Sequence, residues 1–349
     1  MESEGLNVSS FKLLLNGSDI SNEIFASIYG ITFEDELNLP TVFTIWFNTE
    51  DFMNGAWRGI DLETFNIGDE VKVSMGIDSL VDMMTGEITA IDFTFGDNCF
   101  MEIRGYDKLH RLRFGTMRRS FKDVKDSDIA SSIASEVSLS PDVEDTATIH
   151  PYIFQNNQSN YEFLLERANR IGYEMLVNDR DFIFRKSQEN ISSEITLEYG
   201  KDFRNFYAQI KTLTEGSEVE VRGWNVTGKE EITSTASSGS ENTKMGGSES
   251  GYEISENAFS ASSVSIIDEL IIDASDAENI AKAKYNTILK EFLTGEGVCI
   301  GNPAIRAGKT IELTGIGQKL SGIYYVVSTI HSIEEGAYTT TFRVRRTGL

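Results

Sequence analysis

Positive charge is what this chain of 349 residues most lacks: 31 lysines and arginines face 55 aspartates and glutamates, a formal net charge of −24. A surface that grips phosphates needs a basic footprint, so the balance argues against specific nucleic-acid binding and against anionic membranes. The excess has two readings, plain solubility or an acidic lumen past which a polyanion or an acidic cargo moves without sticking. Basic residues gather only at His110-Arg111-Leu112-Arg113, at Arg118-Arg119 and around Arg343, Arg345 and Arg346. These are either docking spots for an acidic partner or members of internal salt bridges. Long apolar runs are missing too. Nothing approaches the roughly 18 residues of a membrane-spanning helix. Met1-Glu2-Ser3-Glu4-Gly5 has neither the basic nor the apolar region of a signal peptide. The expectation is a chain made in the cytoplasm, without membrane insertion.

Cysteine and histidine are scarce, at two and three copies. Cys99 and Cys299 read as buried free thiols rather than a disulfide. His110, His150 and His331 are far apart, and none sits in His-Glu-x-x-His or beside a cysteine. His331, between Ile330 and Ile333, reads as a hydrogen-bonded packing residue. No Gly-x-Ser-x-Gly occurs. Gly301 to Thr310 resembles a phosphate loop only superficially, because six residues separate its glycines and a strand, Ile311-Glu312-Leu313, follows where a helix N-terminus is needed. Carboxylates are so common that any glycosidase-like pair could be picked out, so picking one carries no information. Trp46, Trp57 and Trp224 lie in apolar strand patterns or turns and read as core. No catalytic, cofactor-binding or metal-binding residue is assigned, and no cofactor.

What is present is a repeat. Ile67-Gly68-Asp69-Glu70-Val71-Lys72-Val73, Met84 to Ile91, a turn at Gly96-Asp97-Asn98 and Phe100 to Gly105 are echoed later. The echo is Ala307-Gly308-Lys309-Thr310-Ile311-Glu312-Leu313, Leu320 to Val327, a turn at Glu334-Glu335-Gly336 and Tyr338 to Arg345. Matching Gly68 with Gly308 and Gly86 with Gly322 gives one β unit used twice.

Period-2 alternation fills residues 6–112, including Ile28 to Phe33 and Thr41 to Phe47. A helix capped by Ser127 follows, then one opened by the capping box Ser159-Asn160-Tyr161-Glu162 and closed by Gly172, then a hairpin turned at Asn178-Asp179-Arg180-Asp181. Ser234 to Gly251, rich in Ser, Gly and Thr, reads as a mobile loop. A further helix is expected to start at Ser275-Asp276-Ala277-Glu278. The fold class is therefore mainly β with α+β insertions: two similar antiparallel β-barrels plus a small helix-containing module. The expected domains are 1–112, first barrel; 113–193, module; 194–230 with 295–349, split second barrel; and 231–294, insertion.

Phe154-Gln155-Asn156-Asn157-Gln158-Ser159-Asn160-Tyr161-Glu162-Phe163-Leu164 leading to Ile171-Gly172-Tyr173 is the first of several pieces in a characteristic order. Gly223-Trp224-Asn225, Gly301 to Lys309, and Leu320 to Val327 followed by His331 and Tyr338-Thr339-Thr340 complete the set. In these pieces and their spacing the chain resembles the baseplate hub proteins of contractile-tailed phages, the late control D family, and the N-terminal hub region of VgrG proteins. The resemblance implies a non-enzymatic homotrimer whose six barrels form a ring joining a sixfold tail tube to a threefold spike, among other baseplate proteins of a phage tail or phage-like injection particle. VgrG proteins continue into an oligonucleotide-binding-like domain and a triple-stranded β-helix. This sequence stops at Thr347-Gly348-Leu349. Either the spike is a separate polypeptide or the sequence is part of a longer one. A tail-tip cell-wall hydrolase and a carbohydrate- or receptor-binding module are the alternatives.

Overall fold

The structure is a computed structural model that describes residues 9–49, 63–96, 99–225, 228–267 and 270–349. Trp57, the tip of the turn at Asp97 and Asn98, and Val226 lie outside the described residues. The first part of the chain forms β1 (Ser9–Leu15), β2 (Ser18–Asp19), α1 (Asn22–Ser27), β3 (Ile28–Glu36), β4 (Val42–Asn48), β5 (Glu70–Ile77), β6 (Val81–Thr94) and β7 (Phe100–Tyr106). A short 3-10 helix, Lys108–Arg113, leads to β8 (Met117–Val124), α2 (Asp126–Glu136), β9 (Ser140–Val143), β10 (His150–Gln158), α3 (Asn160–Ile171), β11 (Tyr173–Asn178) and β12 (Asp181–Lys186). Then come β13 (Thr196–Glu198), β14 (Phe203–Ile210), β15 (Glu218–Asn225), β16 (Glu230–Ala236), α4 (Gly251–Phe259), β17 (Ser263–Ile266) and α5 (Ala274–Leu289). The last strands are β18 (Leu293–Ile300), β19 (Thr310–Thr314), β20 (Gly322–Glu334) and β21 (Ala337–Arg346).

The fold is mainly β, and the strands do not close into barrels. One sheet runs β14-β18-β21-β20-β3-β4-β7-β6-β5-β1-β2, with β19 on β20 and β13 on β19. The repeat is visible inside it: β3-β4-β7-β6-β5 and β14-β18-β21-β20-β19 are the same strand order used twice. The correspondence extends to single hydrogen bonds. Gly68 N donates to Ile88 O at 2.8 Å and Ile88 N to Asp69 O at 2.9 Å; Gly308 N donates to Val326 O at 3.0 Å and Val326 N to Lys309 O at 2.8 Å. The bulge that skips Thr89 against β7 recurs at Val327 against β21, and the one at Tyr29 recurs at Arg204. These bonds pair Ile88 with Val326, so Gly86 matches Tyr324, and the alignment of Gly86 with Gly322 expected from sequence is off by two.

Closure fails for a specific reason. β20 pairs with β19 through its first residues, and beyond the bulge it offers the same edge to β3. Had it returned to its own half it would have reached β14. The first half comes nearer to closing, since β1 reaches the β20–β21 turn and the Ser9 hydroxyl donates to the Gly336 carbonyl. Each half has its own core, because period-2 alternation buries one face. Phe33, Phe43, Ile45, Phe47, Val73, Met101 and Ile103 fill the first. Phe203, Tyr324, Val326, Phe342 and Val344 fill the second, closed by Leu289 and Phe292.

The expectation that residues 194–230 all belong to a second barrel is corrected by β15. It forms a separate sheet, β16-β15-β17, whose Val219 and Val221 pack with Ile280 and Tyr285 of α5. In the module, α3 opens as the sequence implies: the Ser159 hydroxyl accepts from Glu162 N at 3.1 Å and the Glu162 carboxylate accepts from Ser159 N at 2.9 Å. It ends on Gly172 at φ +70, where an added Cβ would meet Ala283 Cβ at 3.3 Å. Gly172→Ala is expected to lower stability by about 1 kcal/mol, read as a shifted urea midpoint; an unchanged midpoint would contradict the left-handed cap.

Two other caps sit elsewhere than the sequence suggests. α2 is capped through Asp128, which accepts from Lys125 N at 3.0 Å, while the Ser127 hydroxyl is engaged with Thr146. α5 is capped by Asp273, which accepts from Asp276 N at 2.9 Å, two residues before the expected Ser275. The Ser/Gly stretch that reads as a mobile loop has a defined path here: Met245 is buried, Asn242 N donates to Asn286 Oδ1 at 2.8 Å, and Ser248 N donates to Leu349 O at 2.7 Å. At its end Ser250 and Glu253 cap α4, a helix hidden from the compositional reading.

Candidate functional site: the seam and the open face of the sheet

β3 and β20 are the seam between the two halves, an antiparallel ladder from Ser328 opposite Glu36 to Glu334 opposite Gly30. Its core side is polar at one end. The Asp35 carboxylate accepts from Arg306 Nε at 2.6 Å, from Ala307 N at 3.3 Å and from the Thr329 hydroxyl. The Arg306 guanidinium lies 4.5 Å from the centre of the Phe33 ring and also donates to Met83 O at 3.2 Å. Next along β20, His331 has one ring nitrogen 2.9 Å from Ile305 O and the other 2.9 Å from Tyr338 Oη. Burial pulls the His331 imidazole down to about 4, opposed by the nearby Asp35 charge and reinforced by Arg306. The Gly301–Lys309 stretch is thus a clip of turns that locks the second half onto β3, and its amides do not form a phosphate cradle.

Alternation sends the remaining side chains of this sheet to the opposite, open face. There Glu34, Asp92, Glu102, Glu296 and Glu334 stand among Thr32, Thr44, Ser332 and Thr339, with Arg104 and Arg343 the nearby cations. Trp46 lies on this face half-buried, its Nε1 donating to Glu102 at 3.0 Å. A wide surface spans both halves without a break, because the seam is a regular ladder. Its ionisable groups are mostly acidic, Val298, Ile300 and Ile330 add exposed apolar side chains, and Thr32 and Thr44 are buried within it.

The histidines, cysteines and their neighbouring charged groups are apart and occupied. His110 is buried on the 3-10 helix with Nδ1 2.6 Å from Asp107 O. His150 Nε2 is 3.1 Å from Asp126 Oδ2, and Arg167 donates to the other Asp126 oxygen at 2.6 Å. Burial opposes ionisation of Asp126, yet these two bonds hold its carboxyl below the usual range. Among the described residues no group of three or more His, Cys, Asp or Glu could hold a metal. Cys299 is buried and its thiol is pushed up to about 12 by desolvation, while Cys99 is only half-buried, which corrects the expectation for it.

The basic clusters are largely spent internally: Arg111 pairs with Glu87, Arg119 with Glu136, and Arg345 with Glu189. Trp224, expected in the core, is 58% exposed. It lines a groove with Tyr152, Phe154, Arg167 and Leu270. No helix among the described residues is long and apolar enough to cross a membrane.

This architecture is found in tail proteins. A 43 kDa tail protein of prophage MuSo2 from Shewanella oneidensis aligns at a TM-score of 0.71 with 10% identity, over 97% of this chain and 98% of that one. A tail protein of Neisseria meningitidis aligns at 0.69 with 11% identity, over 97% and 96%. A component of the Escherichia coli type VI secretion system, similar in structure to the T4 bacteriophage tail proteins gp27 and gp5, aligns at 0.62 with 11% identity, over 97% and 77%. The resemblance to tail hub proteins read from the sequence is therefore borne out at the level of the fold. The chain belongs to the family described as the Alg8 N-terminal domain, whose model matches residues 6–335. No curated protein matches it.

Proposed function

We propose that this chain is the non-enzymatic hub of a contractile tail or phage-like injection machine, three copies of which form a ring of six quasi-equivalent half-units. The observation that carries this reading is the strand order used twice in one continuous sheet. Three such chains present six alike β units, which suits a joint between a sixfold tail tube and a threefold spike. The acidic open face would line the passage, where like charge keeps acidic cargo from adhering. The module of residues 113–193 would pack outside the ring or toward the spike, beside other baseplate proteins. A second reading, a carbohydrate-binding face, is favoured by one observation, the exposed aromatic groove of Tyr152, Phe154 and Trp224.

Light scattering on the purified chain tests the first reading. The expected mass is three times 38.9 kDa, unchanged by moderate salt. A mass of 38.9 kDa at every concentration would count against the ring.

A further inference from the structure

We infer that neighbouring copies join by pairing the free edge of β6 with the free edge of β14, in the register that β20 and β3 use within one chain; this rests on the ring reading above. Beyond its pairing with β5, β6 pairs among the described residues with β7 alone, as β20 would if β3 were taken away. β14 pairs with β18 on one side, and among the described residues its other edge carries no ladder. β6 corresponds to β20 and β14 to β3, so the two unpaired edges are the counterparts of the two edges already joined in the seam.

The ladders fix the transfer residue by residue. Ile88 matches Val326 through the glycine-turn bonds, and Ile31 matches Phe206 through their partners Ile45 and Gly297. Carrying the seam pairs Thr329–Asp35, His331–Phe33 and Ile333–Ile31 across gives Ile91 opposite Ile210, Phe93 opposite Ala208 and Phe95 opposite Phe206. All six side chains are apolar and fall on the core-facing side. The alternate pairs, Asp92 opposite Gln209 and Thr94 opposite Tyr207, fall on the open face.

The pairing accounts for surface features that are costly in an isolated chain. Phe93 is 41% exposed and Ile210 38%, both on strand edges that carry no ladder among the described residues, where open backbone invites association. The contact is head-to-tail, because the two edges differ, and a head-to-tail contact generates a ring when its rotation closes. The occupant is therefore a second copy of this chain, and the open face continues from copy to copy.

Cross-linking the full chain tests the register. Residues directly opposite on antiparallel strands have Cα atoms roughly 4.5–5.5 Å apart, within disulfide reach. Asp92→Cys with Gln209→Cys is expected to give covalent dimers and trimers on mild oxidation. Each single variant, which controls for Cys99 and Cys299, and the pair Asp92→Cys with Asn205→Cys should give neither. Separately, Ile210→Glu, whose side chain is exposed in the single chain, should convert the trimer to monomer while leaving the thermal unfolding of the monomer in place. A trimer that forms without the Asp92–Gln209 link, or survives Ile210→Glu, overturns this joint and leaves the ring reading standing. A chain that never trimerises and never cross-links overturns both.

Discussion

Asp35→Ala is expected to destabilise the chain by about 3–5 kcal/mol, the cost of removing one partner from a buried ion pair. Three donors lose their acceptor at once: the Arg306 guanidinium, the Thr329 hydroxyl and the Ala307 amide. The guanidinium is the expensive one, because it stays charged and lies against Phe33 in the seam. The double variant Asp35→Leu with Arg306→Met should recover most of the loss, since well-packed apolar replacements of a buried pair are often neutral. Urea midpoints for the single and double variants check this. A single variant within 1 kcal/mol of the unaltered chain would show that the clip from Gly301 to Lys309 is held by something other than Asp35.

Acid is expected to loosen the same seam through His331. Its imidazole accepts a proton at about 4 in the folded chain and at about 6.5 when unfolded. The unfolded state therefore takes up the proton first as pH falls. Stability that is fully present above about 6.5 is lost down to about 4, by roughly 3 kcal/mol. Asp107 acts in the opposite sense over part of that window, because burial raises its carboxyl to about 6 against hydrogen bonds from Thr41 and Leu109. The test is therefore a difference. The stability of the unaltered chain minus that of His331→Gln should fall between pH 7 and pH 4, and two parallel curves would remove His331 as the cause.

Local features were legible where the chemistry is local. The α3 capping box needs only Ser159 and Glu162, three residues apart, and the hairpin turn needs only Asp179, which does adopt a positive φ. Alternation marked the strands of the first half and the repeat marked the pairing of its units. Alternation is silent on which edge meets which. It could not tell that β20 leaves its own half for β3, or that β15 turns away to α5. The candidate site was hidden for the same reason, since Asp35 and Arg306 are 271 positions apart and neither belongs to a spaced motif. Trp224 misled because a strand pattern gives no sign of what covers its face. The α2 cap moved because the Ser127 hydroxyl is engaged with Thr146, and α5 starts two residues early because Asp273 accepts from Asp276 N.

The β3–β20 ladder has a consequence for dilution. Its two strands belong to one polypeptide, so their effective concentration is set by the connecting chain and does not fall as the protein is thinned out. Such a joint can hold an ion pair and a histidine in its interior at any dilution, because its closure does not depend on concentration. A joint between separate chains has no such tether and must draw its strength from the area it buries. As concentration falls, the proposed ring should come apart into whole chains, each still two units long, and never into single units.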